Sequence, residues 1–177
     1  MIQALNVVPL TQDAFAPYGQ VLNLGGVEAA ARRINAGTSQ RFDLPGPLQL
    51  SREGGNPALA VFRAQAQAPD GPWHLLERHR LGSQTFVPLG GARALLIVAL
   101  GASSPDRSTL AAFAVEGQQG FTLSPGTWHH PLIARDAGDF LVIERTAAEA
   151  DGGVDCEVVQ LAPPLWLNTA DLSDPRP

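Results

Sequence analysis

LLERHRLGSQTFVPLGG, residues 75–91, decides how this chain is read. Two short runs flank the turn Leu81-Gly82-Ser83, and runs of this length around a glycine turn read as the two strands of a hairpin. Alternate residues of a strand share a face, so Glu77 and His79 point one way with Leu75, while Leu76, Arg78 and Arg80 point the other. Pairing across the turn brings Gln84 beside His79. A second stretch, SPGTWHHPL at 124–132, holds His129 and His130, and with His74 and His79 these are all the histidines of the chain. Histidine titrates near neutral pH and is the commonest metal ligand, so the chemistry is expected in these two stretches.

Working outward, β-type runs punctuated by 18 Gly and 15 Pro dominate the 177 residues. Strands are expected over residues 4–8, 20–24, 48–52, 58–67, 73–80, 84–88, 94–100, 110–115, 119–123, 131–135, 140–145 and 156–161. Their regular spacing indicates an all-β antiparallel sandwich or barrel. Thr11 can cap a short helix over residues 12–16 that Pro17 ends, and another turn is expected from Ser104. One domain is expected over residues 1–162, followed by an extended tail over 163–177. A closed barrel has an interior, so polar side chains pointing inward are candidates for ligand contact.

Composition excludes several classes. The formal net charge is −5, and the twelve basic residues are all arginine without a run, which gives no footprint for nucleic acid or an anionic membrane. A small soluble molecule is the expected partner. The single cysteine, Cys156, fits a reducing compartment and reads as a half-buried strand thiol. The N-terminus MIQALNVVPL lacks a basic n-region and no run is long enough to span a bilayer, so a cytoplasmic location is expected.

Glu77, His79, Gln84 and His129 form an oxygen and nitrogen set suited to a divalent ion such as nickel, manganese or zinc. The spacing resembles the cupin signature: Glu77-x-His79, Gln84 and Gly91 follow its first motif, Gly126 and His129 its second. Glu77 stands where that family has histidine, Gln84 where it has glutamate, and Ser124 where it has proline. Without a metal, Glu77, His79 and His129 are catalytic candidates for direct proton transfer. Trp128 either walls the pocket or fills the core. His130, on the opposite face from His129, reads as structural or as a subunit contact.

A closer resemblance covers almost the whole chain. Ile34-Asn35-Ala36-Gly37, Phe62-Arg63-Ala64-Gln65, Leu76-Glu77-Arg78-His79 with Leu81-Gly82-Ser83-Gln84-Thr85-Phe86-Val87-Pro88, Pro105-Asp106, Trp128-His129-His130-Pro131 and Asp139-Phe140 resemble the ureidoglycolate lyase family of allantoin breakdown. Phe62 departs from it, standing where a polar residue is expected. The resemblance implies a cupin-like barrel, a homodimer, and cleavage of ureidoglycolate to glyoxylate and urea. That substrate is a carbinolamide carrying a carboxylate, for which Arg63 is the preferred cation and Arg78, pointing away, the lesser one. Asn35 and Gln84 are candidates for the ureido group, and Asp106 and Asp139 read as turn caps. The alternatives are an amidohydrolase releasing ammonia, another metal-dependent cupin enzyme, and a cupin that binds a small acid without turning it over.

Overall fold

A computed structural model describes residues 3–22, 31–44, 46–146, 155–170 and 172. In chain order the elements are β1 (Gln3–Pro9), α1 (Gln12–Phe15), β2 (Gly19–Leu22), β3 (Arg32–Ile34), β4 (Ser39–Arg41), β5 (Asn56–Ala64), β6 (Trp73–His79), β7 (Gln84–Leu89), β8 (Ala94–Ala99), β9 (Ala111–Val115), β10 (Gly120–Leu123), β11 (Trp128–His129), β12 (Ile133–Ala134), β13 (Gly138–Thr146) and β14 (Cys156–Asn168). The fold is all-β with few short helices, as the sequence indicates.

Two large sheets carry the molecule. One has seven strands in the order β11-β6-β14-β1-β9-β8-β12; the other has five, β2-β10-β7-β13-β5; β3 and β4 pair separately. Most pairings are antiparallel, but β1 runs parallel to both β14 and β9. Because β11 pairs with β8 as well as β6, the seven-stranded sheet curls into a ring.

Alternation then builds two cores on opposite faces of the same strands. Leu96, Val98, Phe113 and Val115 meet Phe86, Phe121, Leu123, Phe140 and Val142 of the five-stranded sheet, with Phe15 and Tyr18 of the α1 segment filling one end. Leu76, Ile97, Trp128, Ile133, Leu161, Leu165 and Leu167 form the second core on the other side. Burying a side chain of this kind stabilises by about 1.5–3 kcal/mol, so both cores favour this register.

Several expectations are corrected. Residues 48–52 make no strand: they lead into a 3-10 turn at Arg52–Gly54, held by Ser83 hydroxyl and backbone bonds to Gln49 and by Arg145 donating to the carbonyls of Arg52 and Glu53. The strand expected over 131–135 shrinks to β12. Folded structure does not stop at residue 162, since β14 continues to Asn168 with Leu165 and Leu167 buried. The ends of two expected segments, residues 23–24 and 173–177, lie outside the described residues. Thr11 does cap α1, accepting from the Ala14 amide, and Asp106 caps the turn at Arg107–Thr109 through the Ser108 amide.

Candidate active site

Register places the site before any distance is needed. His129 lies opposite both Glu77 and Val98, and Val98 belongs to the core between the two sheets. His129 and Glu77 therefore face that interior, and His79, two residues on, joins them. From the opposite sheet, Gln84 shares its face with Phe86, and Glu144 shares its face with Phe140 and Val142. All five gather where the β6–β7 turn closes the barrel end. The turn is anchored from outside by Asp155, which accepts from the Leu81 amide at 2.7 Å and pairs with Arg145 at 3.2 Å in a buried ion pair. Gly82 lies tight against Arg145, where an added Cβ would come within 2.5 Å of the arginine Cβ. Gly126 takes φ +85° to redirect the chain into β11, and its amide donates to the His79 carbonyl at 2.7 Å.

The donor atoms of Glu77, His79 and His129 lie within 4.8 Å of one another, a set that could hold a metal ion. His129 Nε2 is 3.6 Å from Glu77 Oε1. His129 Nδ1 is 3.0 Å from the Thr127 carbonyl; a carbonyl only accepts, so Nδ1 carries the hydrogen and Nε2 presents its lone pair. Among the described residues, the Nε2 atoms of His79 and His129 and the Oε1 atom of Gln84 are buried without a hydrogen-bond partner. Buried polar atoms are normally paired, and three unpaired acceptor or ligand atoms on one face are what a bound ion or substrate would satisfy. Their chemistry fits a divalent ion.

Electrostatics follow from burial. Desolvation pushes the Glu77 carboxyl up, opposed by the charge of His79 and reinforced by that of Glu144. Desolvation lowers His129 to about 4, against the pull of the Thr127 bond, so its ring is neutral near neutral pH.

The remaining candidates are not brought to this cluster. Trp128 fills the second core with its indole Nε1 donating to the Gly101 carbonyl at 3.1 Å, the second of its two expected places and not the pocket wall. Arg78 also faces that side, its guanidinium carbon 4.4 Å from the centre of the Trp128 ring and its Nε donating to Glu157 at 2.7 Å. Arg63 is on the outer face of β5 with Leu59 and Val61, 84% exposed and paired with Asp139 at 2.9 Å, which corrects the expectation that it faces the substrate. Asn35 sits exposed between β3 and β4, donating to the Ser39 hydroxyl. His130 packs edge-on against Trp73 and bonds through Nδ1 to the Pro131 carbonyl. Cys156 is exposed, and burial of part of its surface raises rather than lowers its thiol. Glu144 was not singled out from the sequence; its signal is the Phe140, Val142, Glu144 alternation.

An inward-facing carboxyl beside two imidazoles in an all-β interior is an arrangement that can exchange protons with a small polar molecule or hold a metal ion. The comparisons narrow the class: the profile named for ureidoglycolate lyase matches residues 2–168, and the chain belongs to that family. It is 38% identical over 167 residues to a protein named ureidoglycolate lyase from Burkholderia mallei strain NCTC 10229, covering 94% of each chain. It is 42% identical over 142 residues to one of the same name from Burkholderia cepacia, covering 80% and 79%. A third, from Brucella melitensis biotype 2, is 38% identical over 150 residues, covering 84% and 86%. A solved structure of RmlC from Streptococcus suis in complex with dTDP-D-xylose aligns with a TM-score of 0.44 at 11% identity, over 98% of this chain and 82% of that one. At that similarity the likeness carries no weight.

Proposed function

We propose that this protein cleaves ureidoglycolate to glyoxylate and urea. The observation that carries the reading is the Glu77, His79 and His129 cluster with its unpaired ring nitrogens, in a chain of this family. Collapse of a carbinolamide needs a base for the hydroxyl proton and an acid for the departing nitrogen, each worth about 10²–10⁴-fold in rate. His129 Nε2, its lone pair fixed by Thr127, accepts the hydroxyl proton as the C=O bond forms and the C–N bond breaks. Glu77, its carboxyl pushed up by burial, donates a proton to the urea nitrogen. The proton on His129 then returns to Glu77 across the 3.6 Å gap, and the site is reset without net consumption of water.

Glu77, His79 and His129 would hold a divalent ion such as nickel, manganese or zinc. Such an ion would bind the hydroxyl and carboxylate oxygens and lower the hydroxyl pKa. The arginines of β6 and β13, Arg78 and Arg145, face away from the cluster, which leaves the carboxylate without a cation from those strands and supports this reading. The test incubates purified protein with ureidoglycolate, with and without chelator, and quantifies urea, glyoxylate, ammonia and bound metal. Urea and glyoxylate in equal amounts support the lyase; stoichiometric ammonia would establish an amidohydrolase instead. Full activity with no ion detected would leave the three residues as direct proton-transfer groups.

A homodimer fits the surface of β5. This strand is an open edge of the five-stranded sheet, with Leu59 73% and Val61 56% exposed. Sedimentation of wild type and Leu59→Asp checks it, with dissociation expected in the variant. No described helix is long and apolar enough to cross a membrane, and a cytoplasmic location is part of the same proposal.

A further inference from the structure

Gln84 is 5% exposed, and its two amide atoms have opposite fates. Nε2 donates to Glu144 Oε2 at 2.9 Å, whereas Oε1 is buried with no partner among the described residues. A glutamine amide can turn over with little change in shape, exchanging a donor for an acceptor at the same point. Glu144 removes that freedom, because an ionised carboxylate only accepts and so must be met by the –NH₂ group. The carbonyl oxygen is then left on the other side, buried and without a partner among the described residues, as are the ring Nε2 atoms of His79 and His129. Glu144 comes from β13, the strand beside β7 in the five-stranded sheet, so this orientation is imposed by the neighbouring strand on the sheet that faces the histidines.

We propose that Glu144 is a positioning residue that holds the Gln84 carbonyl oxygen toward the substrate, where it accepts a hydrogen bond from the ureido N–H. The site is thereby selective for a leaving group that carries an N–H donor: a urea fits, and a leaving group presenting only oxygen acceptors opposes Gln84 with like polarity. A site whose buried acceptor is left unpaired rejects the analogue lacking the donor. The inference rests on the ureidoglycolate reading, and inhibition by the two products separates the two claims.

Wild type, Gln84→Met, Glu144→Met and the exchanged pair Gln84→Glu/Glu144→Gln are compared for KM, kcat, and inhibition by urea and by glyoxylate separately. In the exchanged pair the amide of residue 144 donates to the carboxylate of residue 84, which again offers an oxygen to the site. Both Met variants are expected to weaken urea inhibition and raise KM roughly tenfold while glyoxylate inhibition shifts less than about twofold, and the exchanged pair is expected to recover most of the loss. A merely structural Glu144 would move both products together and would not be rescued by exchange. Unchanged urea inhibition in folded Glu144→Met would overturn the inference, as would loss of a bound divalent ion from Gln84→Met without any change in urea inhibition. Should Glu144→Met not fold, Gln84→Met and the exchanged pair decide by the same readouts. Absence of urea release by wild type would instead overturn the functional reading beneath it.

Discussion

Glu77, Arg78 and His79 are consecutive in one strand, and they belong to different economies of hydrogen bonding. Arg78 points into the second core and is satisfied there by Glu157, by the carbonyls of Gly101 and Ala102, and by the face of Trp128. His79, one residue on, faces the other interior with a ring nitrogen that meets no partner among the described residues. The same contrast recurs in β11, where Trp128 donates to Gly101 and His129 keeps Nε2 free. Unpaired buried polar groups cost about 1–3 kcal/mol each, so the face toward the second core is built for stability and the face toward the space between the sheets gives some of it up for binding.

The largest expected effect separates the two faces directly. Glu77→Gln and His129→Gln should lower kcat/KM by about 10²–10⁴-fold, with thermal midpoints near or above the wild-type value. Steady-state kinetics and calorimetry on the same preparations check it. A loss of stability that accounts for the lost rate would break the comparison, because the inner face would then be structural too.

The mirror experiment is Trp128→Ala, next to His129 but on the other face. A buried tryptophan truncated in a core costs about 3–5 kcal/mol, so denaturant unfolding should show a large loss while the folded fraction keeps kcat/KM within a few-fold at low temperature. Loss of rate in fully folded Trp128→Phe would show that the indole contributes to chemistry through the wall.

A smaller effect is expected in pH dependence, measured in chelator. His129 titrates at 6.5 in the unfolded chain and at about 4 when folded. The unfolded state therefore binds more protons between those values, and this contribution to stability is complete above about 6.5 and lost as pH falls, at up to about 1.4 kcal/mol per pH unit. Glu77 runs the other way: its folded pKa is raised, so its contribution is present below its unfolded value of 4.5 and is lost as pH rises through the folded one. In wild type the two oppose each other. His129→Gln should flatten acid destabilisation below pH 6.5 and Glu77→Gln should steepen it. Parallel slopes in both variants would show that neither group is desolvated as the fold implies.

The division between faces is legible in sequence because it is a matter of parity. Glu77 and His79 share a face by alternation alone, and the turn at Ser124–Gly126 marks His129, so the core of the site follows from local pattern. Glu144 does not, since it meets Gln84 across 60 residues of sequence and only the pairing of β13 with β7 brings them together. The β14 extension is hidden by Pro163 and Pro164, which read as strand breakers. They lie where its register with β6 slips between Gln160 and Leu165, a place that tolerates a missing N–H. Arg63 misleads for a third reason. Leu59 and Val61 share its face and look like an inward set, yet here the apolar face of an edge strand is the exposed one.

Arg63 therefore gives the smallest effect and the sharpest limit on the comparison. Its guanidinium donates from Nε and Nη2 to the two Asp139 oxygens at 2.9 and 3.1 Å, in an exposed fork between β5 and β13. The carboxylate of Asp139 lies below its usual range because of that hydrogen bond. Exposed pairs contribute little and are screened by salt, so Arg63→Ala should leave stability nearly unchanged and shift KM for ureidoglycolate by less than about twofold. If β5 is a subunit contact, the same substitution should weaken association in sedimentation while the kinetics at saturating protein hold. A KM raised tenfold or more, with the oligomer intact, would place substrate recognition on the outer face and redraw the boundary between the two sides.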